Sequence, residues 1–284
     1  MAFSLRIPAL ALAAFAAAAL QLTLDATPVQ AETAPPPGTT VHKGVAKINQ
    51  SAHTRSDVNT GTDYAGAAAA AAGGPLLANG GTVLTTPRVY VSYWGPEWSA
   101  GFSTGGYSSA QARQYVETFF SGVGGSGWAA TNQQYCSNAP VGASTCSGLP
   151  GVGNPAGQLA GAWIDNTAVP ASPNSGDIAW AAVRAAQHFG QIPGAIYLVL
   201  TPSGKSEVGF GTQWCAWHGA TYITTSAPPL AYAYIPYMPD AGSHCGVDYI
   251  NPNDGFGHGW FDGYSIVGGH EYAEALTDPF PSSG

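Results

Sequence analysis

The chain has 284 residues, of which only 8% are charged, and its 16 acidic residues outnumber its 8 lysines and arginines. Binding to a phosphate backbone requires a basic patch, so this composition excludes a nucleic-acid partner. Glycine and proline contribute 38 and 22 residues, which predicts many loops between the regular elements.

Residues 1–31 are typical of a secretory signal peptide. Arg6 supplies a positive charge, residues 7–24 form an apolar run, and Val29-Gln30-Ala31 places small residues at the cleavage positions. We expect cleavage before Glu32, which predicts a secreted protein without membrane attachment. A retained anchor is the alternative, but Pro8 interrupts the run and its length is near the lower limit of a membrane span.

Residues 32–80 are predicted to form a disordered leader or linker. They contain a Pro35-Pro36-Pro37 run and a low-complexity run from Ala65 to Gly74, and they have few branched or aromatic residues with which to build a core. We expect His42 and His53 in this segment to be solvated. A removable pro-segment is compatible with the composition, although no inhibitory motif is visible.

Residues 81–284 are predicted to form a single folded domain. Apolar patterns predict strands at residues 88–94, 159–165, 195–201, 221–225 and 232–237, and helical spacing predicts helices at 108–120 and 177–189. A last short helix is predicted after Gly268-Gly269, ending before Pro279. This order predicts an α/β fold, a mixed sheet with helices packed on it, and is compatible with a zincin-like arrangement in which a sheet supports a metal-binding helix.

Four cysteines in an exported chain predict two disulfides, for which three pairings exist. Cys136 and Cys146 flank a loop rich in glycine, serine and proline, which favours a local bond and leaves Cys215 to pair with Cys245. Alternatively, the Cys215-Ala-Trp-His218 and His244-Cys245 groups supply metal ligands.

The strongest functional signal is the run His270-Glu271-Tyr-Ala-Glu274 in an otherwise charge-poor chain. On a helix, His270 and Glu274 lie one turn apart on one face, with Glu271 beside them. The spacing is that of the H-E-x-x-H metallopeptidase helix with glutamate in place of the second histidine, and imidazole and carboxylate both bind zinc. We predict that His270 and Glu274 bind zinc and that Glu271 deprotonates a metal-bound water.

Three further residues are candidates for a remaining ligand position. Asp278 lies eight positions after His270, and His218 and His258 lie in predicted loops. The competing interpretation is that His270-Glu271-Tyr-Ala-Glu274 forms a solvated helix face, and that its similarity to the metallopeptidase motif arose by chance.

Six short segments occur in order from about residue 73 to the end of the chain. They are Gly73-Gly74-Pro75-Leu76-Leu77, Val89-Tyr90-Val91-Ser92-Tyr93-Trp94-Gly95, Ile196-Tyr197-Leu198-Val199-Leu200-Thr201, Cys215-Ala-Trp-His218, Gly246-Val247-Asp248 and Gly269-His270-Glu271-Tyr-Ala-Glu274-Ala-Leu-Thr-Asp278-Pro279. Together they resemble the secreted phosphate-induced protein 1 / EXORDIUM-like family, and the last is similar to that family's A-H-E-x-A-E-x-x-T-N-P segment, with Asp278 where plant members often carry asparagine.

The resemblance implies an extracellular, cell-wall-associated protein, a type linked to growth in plants. Members of the family continue past the T-N-P segment, whereas this sequence stops at Gly284. If the chain is truncated there, part of the site lies beyond Gly284. If it is complete, Asp278 or a loop histidine must serve as the third ligand.

These observations predict a secreted, monomeric, zincin-like metallohydrolase, a zinc-dependent peptidase that acts on a polypeptide or a cell-wall polymer. A second hypothesis is a non-catalytic extracellular protein that binds glycans or peptides through a tryptophan face, formed by Trp94, Trp98, Trp128, Trp214, Trp217 and Trp260. A third is a metal-free hydrolase that pairs Glu271 with Asp248 or Asp262. The chain has no G-x-S-x-G serine-nucleophile motif.

Overall fold

The computed structural model of the protein describes residue 36 and residues 39–42, 78–252 and 258–281. These residues all belong to one compact unit within residues 31–284. The predicted signal peptide and most of the predicted leader lie outside the described residues, so the assignments made for them stay predictions.

A six-stranded mixed sheet forms the centre of this unit. Its spatial order is β1 (Thr40–His42), β7 (Trp217–Tyr222), β8 (Pro229–Tyr234), β6 (Ala195–Leu200), β2 (Arg88–Trp94) and β5 (Leu159–Asp165). The pairs β5–β2, β2–β6 and β6–β8 are parallel, whereas β7 pairs antiparallel with both β8 and β1. Strands β3 (Ser103–Thr104) and β4 (Tyr107–Ser108) form a separate small ribbon.

Five α-helices and two 3₁₀ helices accompany these strands in the described part of the chain. The α-helices are α1 (Glu97–Ala100), α2 (Ser109–Val123), α3 (Gly127–Ala130), α4 (Ser175–Phe189) and α5 (His258–Thr277), and the 3₁₀ helices are Thr131–Gln134 and Met238–Cys245. Ser108 caps α2 and Asn174 caps α4 through their side-chain oxygens, which satisfies backbone N–H groups that each helix start leaves without a partner.

The sheet has a hydrophobic core on each face. On one face, Ile178 and Ala182 of α4 pack against aromatic residues of the sheet such as Tyr197 and Trp217. On the other face, residues of α2 and α5 pack against alternate sheet residues such as Val91 and Leu198. Because both faces are covered, the inner strands β2 and β6 are almost entirely buried, and the predicted α/β class with a mixed sheet and packed helices is confirmed.

Helix α5 is much longer than the short helix predicted after Gly268-Gly269. It begins at His258 and runs for 20 residues through several glycines. Glycine ordinarily weakens a helix, but here its lack of a side chain permits close packing. A Cβ at Gly263 would lie 2.3 Å from the carbonyl oxygen of Cys245, so the preceding 3₁₀ helix can approach α5 only at a glycine.

Strands β7 and β8 begin earlier than the predicted strands at 221–225 and 232–237. Strand β7 starts at Trp217 and therefore includes His218, which had been placed in a loop. Both disulfides have the pairing favoured by the sequence, Cys136 with Cys146 and Cys215 with Cys245. Within the ranges that the structure describes, no helix is long and apolar enough to cross a membrane.

Strand β1 comes from the segment predicted to be a disordered leader. Thr40, Val41 and His42 pair with Ala220, Gly219 and His218 of β7, in that order. Just before β1, the hydroxyl groups of Thr39 and Thr221 are hydrogen-bonded at 2.9 Å. Part of this segment therefore belongs to the folded sheet, a role that the composition of residues 32–80 did not indicate.

Candidate functional site

The C-terminal half of α5 carries the charged residues identified from the sequence. Glu271 points into the protein and its side chain is 0% exposed, whereas the side chains of Glu274 and His270 are 30% and 43% exposed. The helical spacing brings His270 Nε2 to 3.1 Å from Glu274 Oε1, one turn further along. The predicted proximity of His270, Glu271 and Glu274 on one part of the helix is therefore present in the structure.

His218 of β7 meets these residues from the sheet. Its side chain is only 2% exposed, and its Nδ1 lies 3.4 Å from Glu271 Oε2 and 3.2 Å from Glu274 Oε2. The ligand atoms of His218, Glu271 and Glu274 all lie within 4.8 Å of one another. We call these three residues the His218 cluster. The two oxygens of the Glu274 carboxylate thus face two imidazoles, His218 on one side and His270 on the other.

The position of the ring proton on His218 follows from its other nitrogen. His218 Nε2 lies 3.1 Å from the backbone carbonyl oxygen of Asp278, just past the end of α5. A carbonyl oxygen only accepts hydrogen bonds, so Nε2 must carry a proton and donate it. In the neutral ring, Nδ1 then has a lone pair directed towards two carboxylates, an arrangement that is repulsive unless a cation or a further proton lies between them.

Without a metal ion, a proton on His218 relieves this repulsion. Burial disfavours the imidazolium form, but hydrogen bonding and the charges of Glu271 and Glu274 outweigh it and raise the pKa of His218 to about 10. Burial also raises the pKa of the Glu271 carboxyl, although His218 opposes this effect. A hydrogen bond to Glu274 raises the pKa of His270 despite the partial burial of that ring.

The same donor set suits a divalent cation. Zinc in hydrolytic sites is commonly held by imidazole and carboxylate groups, with one position left for water. A ligating histidine usually donates its other ring N–H to a carbonyl or carboxylate, which is what His218 does towards Asp278. In addition, Glu271 Oε1 is buried and has no hydrogen-bond partner among the described residues, a costly state for a carboxylate without a nearby positive charge.

Two other candidate ligands occupy different positions. Asp278 reaches the cluster through its backbone carbonyl oxygen. His258 lies in the first turn of α5 with its ring 6.3 Å from that of Tyr115, and twelve residues of helix separate it from His270, about 18 Å along the axis. His258 is therefore not part of the cluster.

The metal-free pairing of Glu271 with Asp248 or Asp262 is not formed. The fully buried Asp262 accepts hydrogen bonds from the backbone N–H groups of Ile250 and Asn251, at 2.7 and 2.8 Å. It precedes Glu271 by nine residues of helix, about 14 Å. Asp248 lies beside Gly259 at the same distant end of α5.

The proposed tryptophan face is also not formed. Four of its six members are at most 3% exposed and belong to the two cores, namely Trp94, Trp98, Trp214 and Trp217. Trp128, in contrast, is 50% exposed. The hydrophobic effect places these four rings inside, so they are not available as a binding surface.

The sequence places His218 in a predicted loop and identifies it only as an alternative metal ligand. The signal that could have identified it is the strand itself, because residues Trp217 and His218 fall on opposite faces of β7. Trp217 belongs to the core beneath α4, which leaves His218 facing α5. A buried histidine in an apolar strand requires a polar partner, and α5 supplies it.

The chain was compared with protein-family models, with curated proteins and with solved structures, and none matched significantly. The resemblance to the EXORDIUM-like family therefore rests on the short segments described above.

Proposed function

We propose that the protein is a secreted metal-dependent hydrolase of the zincin type that cleaves polypeptides. The observation that carries this proposal is the orientation of His218, whose Nε2 is held by the Asp278 carbonyl while its Nδ1 faces Glu271 and Glu274. The tautomer fixed in this way presents a lone pair where two carboxylates converge, which is the donor arrangement that a divalent cation requires.

The charge of the cluster suits a divalent cation. Glu271 and Glu274 place two carboxylates in buried or half-buried positions, which is costly unless positive charge lies beside them. A divalent cation with a neutral His218 would neutralise both carboxylates. Zinc is the first candidate because the donors are nitrogen and carboxylate oxygen.

His218, His270 and Glu274 are assigned as the residues that hold the metal. A set of two histidines and one glutamate is known in hydrolytic zinc sites, and here the two imidazoles lie on either side of the Glu274 carboxylate. When bound, the metal lowers the pKa of a water and polarises the scissile carbonyl.

Glu271 is assigned as the general base, the role predicted from the sequence. Its raised pKa makes the carboxylate a better proton acceptor than a solvated glutamate, and its burial keeps bulk water from competing. Glu274 and His270 are the most exposed members of the site, so substrate would approach from their side.

Secretion is part of the proposal and is supported by two disulfides, which form and persist in oxidising compartments. The apolar N-terminal segment with its small cleavage-site residues supports export in the same way. A polypeptide is the substrate class because the H-E-x-x-E spacing resembles that of metallopeptidases. A cell-wall polymer is the second substrate to be tried.

Metal content and hydrolysis in three variants test the proposal. The wild-type protein should contain about one equivalent of metal, because the three proposed ligands, His218, His270 and Glu274, form a single site. Glu271→Gln should keep the metal, since Glu271 is not a ligand, yet reduce hydrolysis of denatured, fluorescein-labelled casein by about 10²–10⁴-fold. His218→Ala should lose both metal and activity. His188→Ala removes an exposed histidine that stacks on Trp163, and should change neither.

Two results would contradict the proposal. A wild-type protein that neither contains nor takes up a divalent metal, and that cleaves nothing, excludes a metallohydrolase. Loss of metal in Glu271→Gln, with binding intact in the control variant, shows that Glu271 is a ligand and that the role of base is wrongly assigned.

A further inference from the structure

Trp128 is the largest apolar side chain left exposed in the part of the chain that the structure describes. The residue is 50% exposed, whereas four other tryptophans are buried in the two cores. Helix α3 holds it in place, because the Ser126 hydroxyl caps the start of this helix and the Thr131 hydroxyl donates a hydrogen bond to the Trp128 carbonyl at 2.7 Å. A large apolar ring that is held at the surface is available for contact with an apolar ligand.

The indole of Trp128 lies against α5 beside the candidate site. It stacks on Tyr272, with ring centroids 6.4 Å apart and an angle of 27° between the ring planes. Its Cη2 atom lies 3.5 Å from the position that a Cβ would take on Gly269. Gly269 directly precedes His270, which is assigned as a metal ligand. Because Gly269 has no side chain, the indole can lie directly against the helix, one residue from the site.

Ala273 separates Trp128 from His270 on the surface of α5. Residues three and four apart on a helix are neighbours, with Cβ positions about 5–6 Å from one another, so Ala273 adjoins both Gly269 and His270. Ala273 is only partly buried. The helix therefore places nothing larger than a methyl group between the indole and the imidazole.

We propose that Trp128 and Ala273 form a subsite that binds an aromatic or large aliphatic side chain of the polypeptide substrate. The inference rests on the proposed function, because it requires cleavage of the substrate at a metal held by His270 and its partners. The two steps from His270 through Ala273 to Gly269 span about 11 Å, which corresponds to about three residues of an extended chain. The bound side chain therefore lies within about three residues of the scissile bond.

Hydrolysis of short, internally quenched peptides by the metal-loaded protein tests the inference. The peptides share one sequence, in which phenylalanine, leucine or glycine occupies each of the three positions on either side of the cleaved bond. Trp128→Ala removes the indole, Trp128→Phe keeps an aromatic ring, and Ala273→Leu fills the space beside the ring while keeping a good helix former. Tyr249→Ala is the matched control, since Tyr249 is an exposed aromatic residue near the distant end of α5.

We expect the wild type to cleave peptides with phenylalanine or leucine at one of these positions with a kcat/KM at least about tenfold higher than the glycine peptide. Trp128→Ala and Ala273→Leu should lose this preference through a higher KM, because the apolar contact is lost or blocked. Both should cleave the glycine peptide as the wild type does, with unchanged metal content, since neither residue is a ligand. Trp128→Phe should retain most of the preference, and Tyr249→Ala should retain all of it.

Three results would overturn the inference. A wild type without preference for an apolar residue at any of the six positions has no such subsite. A preference that persists in Trp128→Ala belongs to another part of the protein, while cleavage and bound metal leave the proposed function standing. An equal fall in kcat for every peptide in the Trp128 and Ala273 variants shows a structural role instead. A wild type that cleaves none of the peptides and binds no metal is the separate failure of the proposed function, and the inference fails with it.

Discussion

In the absence of metal, the stability of the protein should depend strongly on pH through His218. In the folded, metal-free protein the pKa of His218 is raised from 6.5 to about 10, and the side chain is buried against Glu271 and Glu274. A raised pKa means that the folded state binds this proton more tightly than the unfolded state does. The resulting stabilisation is complete below about pH 6.5 and is lost as the pH rises towards 10.

The size of the effect follows from the pKa difference. At about 1.4 kcal/mol per pKa unit, the whole shift corresponds to about 5 kcal/mol of unfolding free energy. Between pH 6 and pH 9 we expect a loss of about 3 kcal/mol, since the window from the ordinary histidine value to pH 9 covers most of the shift. The raised pKa of Glu271 acts in the same direction, because that carboxyl also holds its proton more tightly in the folded state.

Urea unfolding at several pH values in the presence of EDTA measures this dependence. His218→Gln should show a much flatter profile, and His188→Gln, with its exposed side chain, should follow the wild type. With zinc added, the trend should weaken or reverse, because metal and proton compete for Nδ1 and metal binding becomes tighter as pH rises. Parallel profiles for the metal-free wild type and His218→Gln would refute the reasoning.

Two further predictions concern the elements that position the site. Replacing both Cys215 and Cys245 with serine should lower the unfolding free energy by about 3–4 kcal/mol, because the disulfide closes a loop with a sequence separation of 30, and urea unfolding should show it. Gly263→Ala should reduce the melting temperature, because its Cβ would lie 2.3 Å from a backbone oxygen, whereas Gly122→Ala in α2, with nothing within 4 Å, should stabilise by about 0.5–1 kcal/mol. Equal melting temperatures for the two alanine variants would contradict the packing argument.

The strands and helices with strong periodicity could be predicted from the sequence almost to the residue. Strand β2 at 88–94 and β5 at 159–165 have the predicted bounds, and α2 and α4 differ from prediction by a few residues at their ends. The spacing of apolar residues is sufficient to predict these elements, because each of them buries one or both of its faces against neighbouring elements. Capping residues such as Ser108 also mark where a helix begins.

Prediction failed where long-range packing decides the local structure. The glycines of α5 predict that the helix begins only after Gly269. In the structure they lie within the helix, at the points where Cys245, Phe119 and Ile235 approach it. Similarly, the pairing of β1 with β7 joins residues far apart in the chain, and a strand of three residues is too short to show a periodic pattern.

Only the part of the candidate site that lies within helix α5 could be predicted from the sequence. His270, Glu271 and Glu274 are close because helical geometry makes them so, and this could be inferred from their spacing alone. His218 is more than fifty residues earlier in the sequence, and its position depends on how β7 packs beneath α5. The sequence of α5 does not indicate which residue of the sheet lies opposite the helix.

The disulfide between Cys215 and Cys245 has a consequence for when the site can form. Cys215 lies two residues before the start of β7 and three before His218, and Cys245 ends the 3₁₀ helix that packs against α5. The bond therefore links the start of the strand that carries His218 to a 3₁₀ helix that packs against α5, the helix that carries Glu271 and Glu274. In a thiol-reducing compartment this link would be open, and the two halves of the cluster would be held together by packing alone. A newly synthesised chain would thus acquire this covalent constraint only after its thiols are oxidised, and the site would reach its full rigidity only at that point.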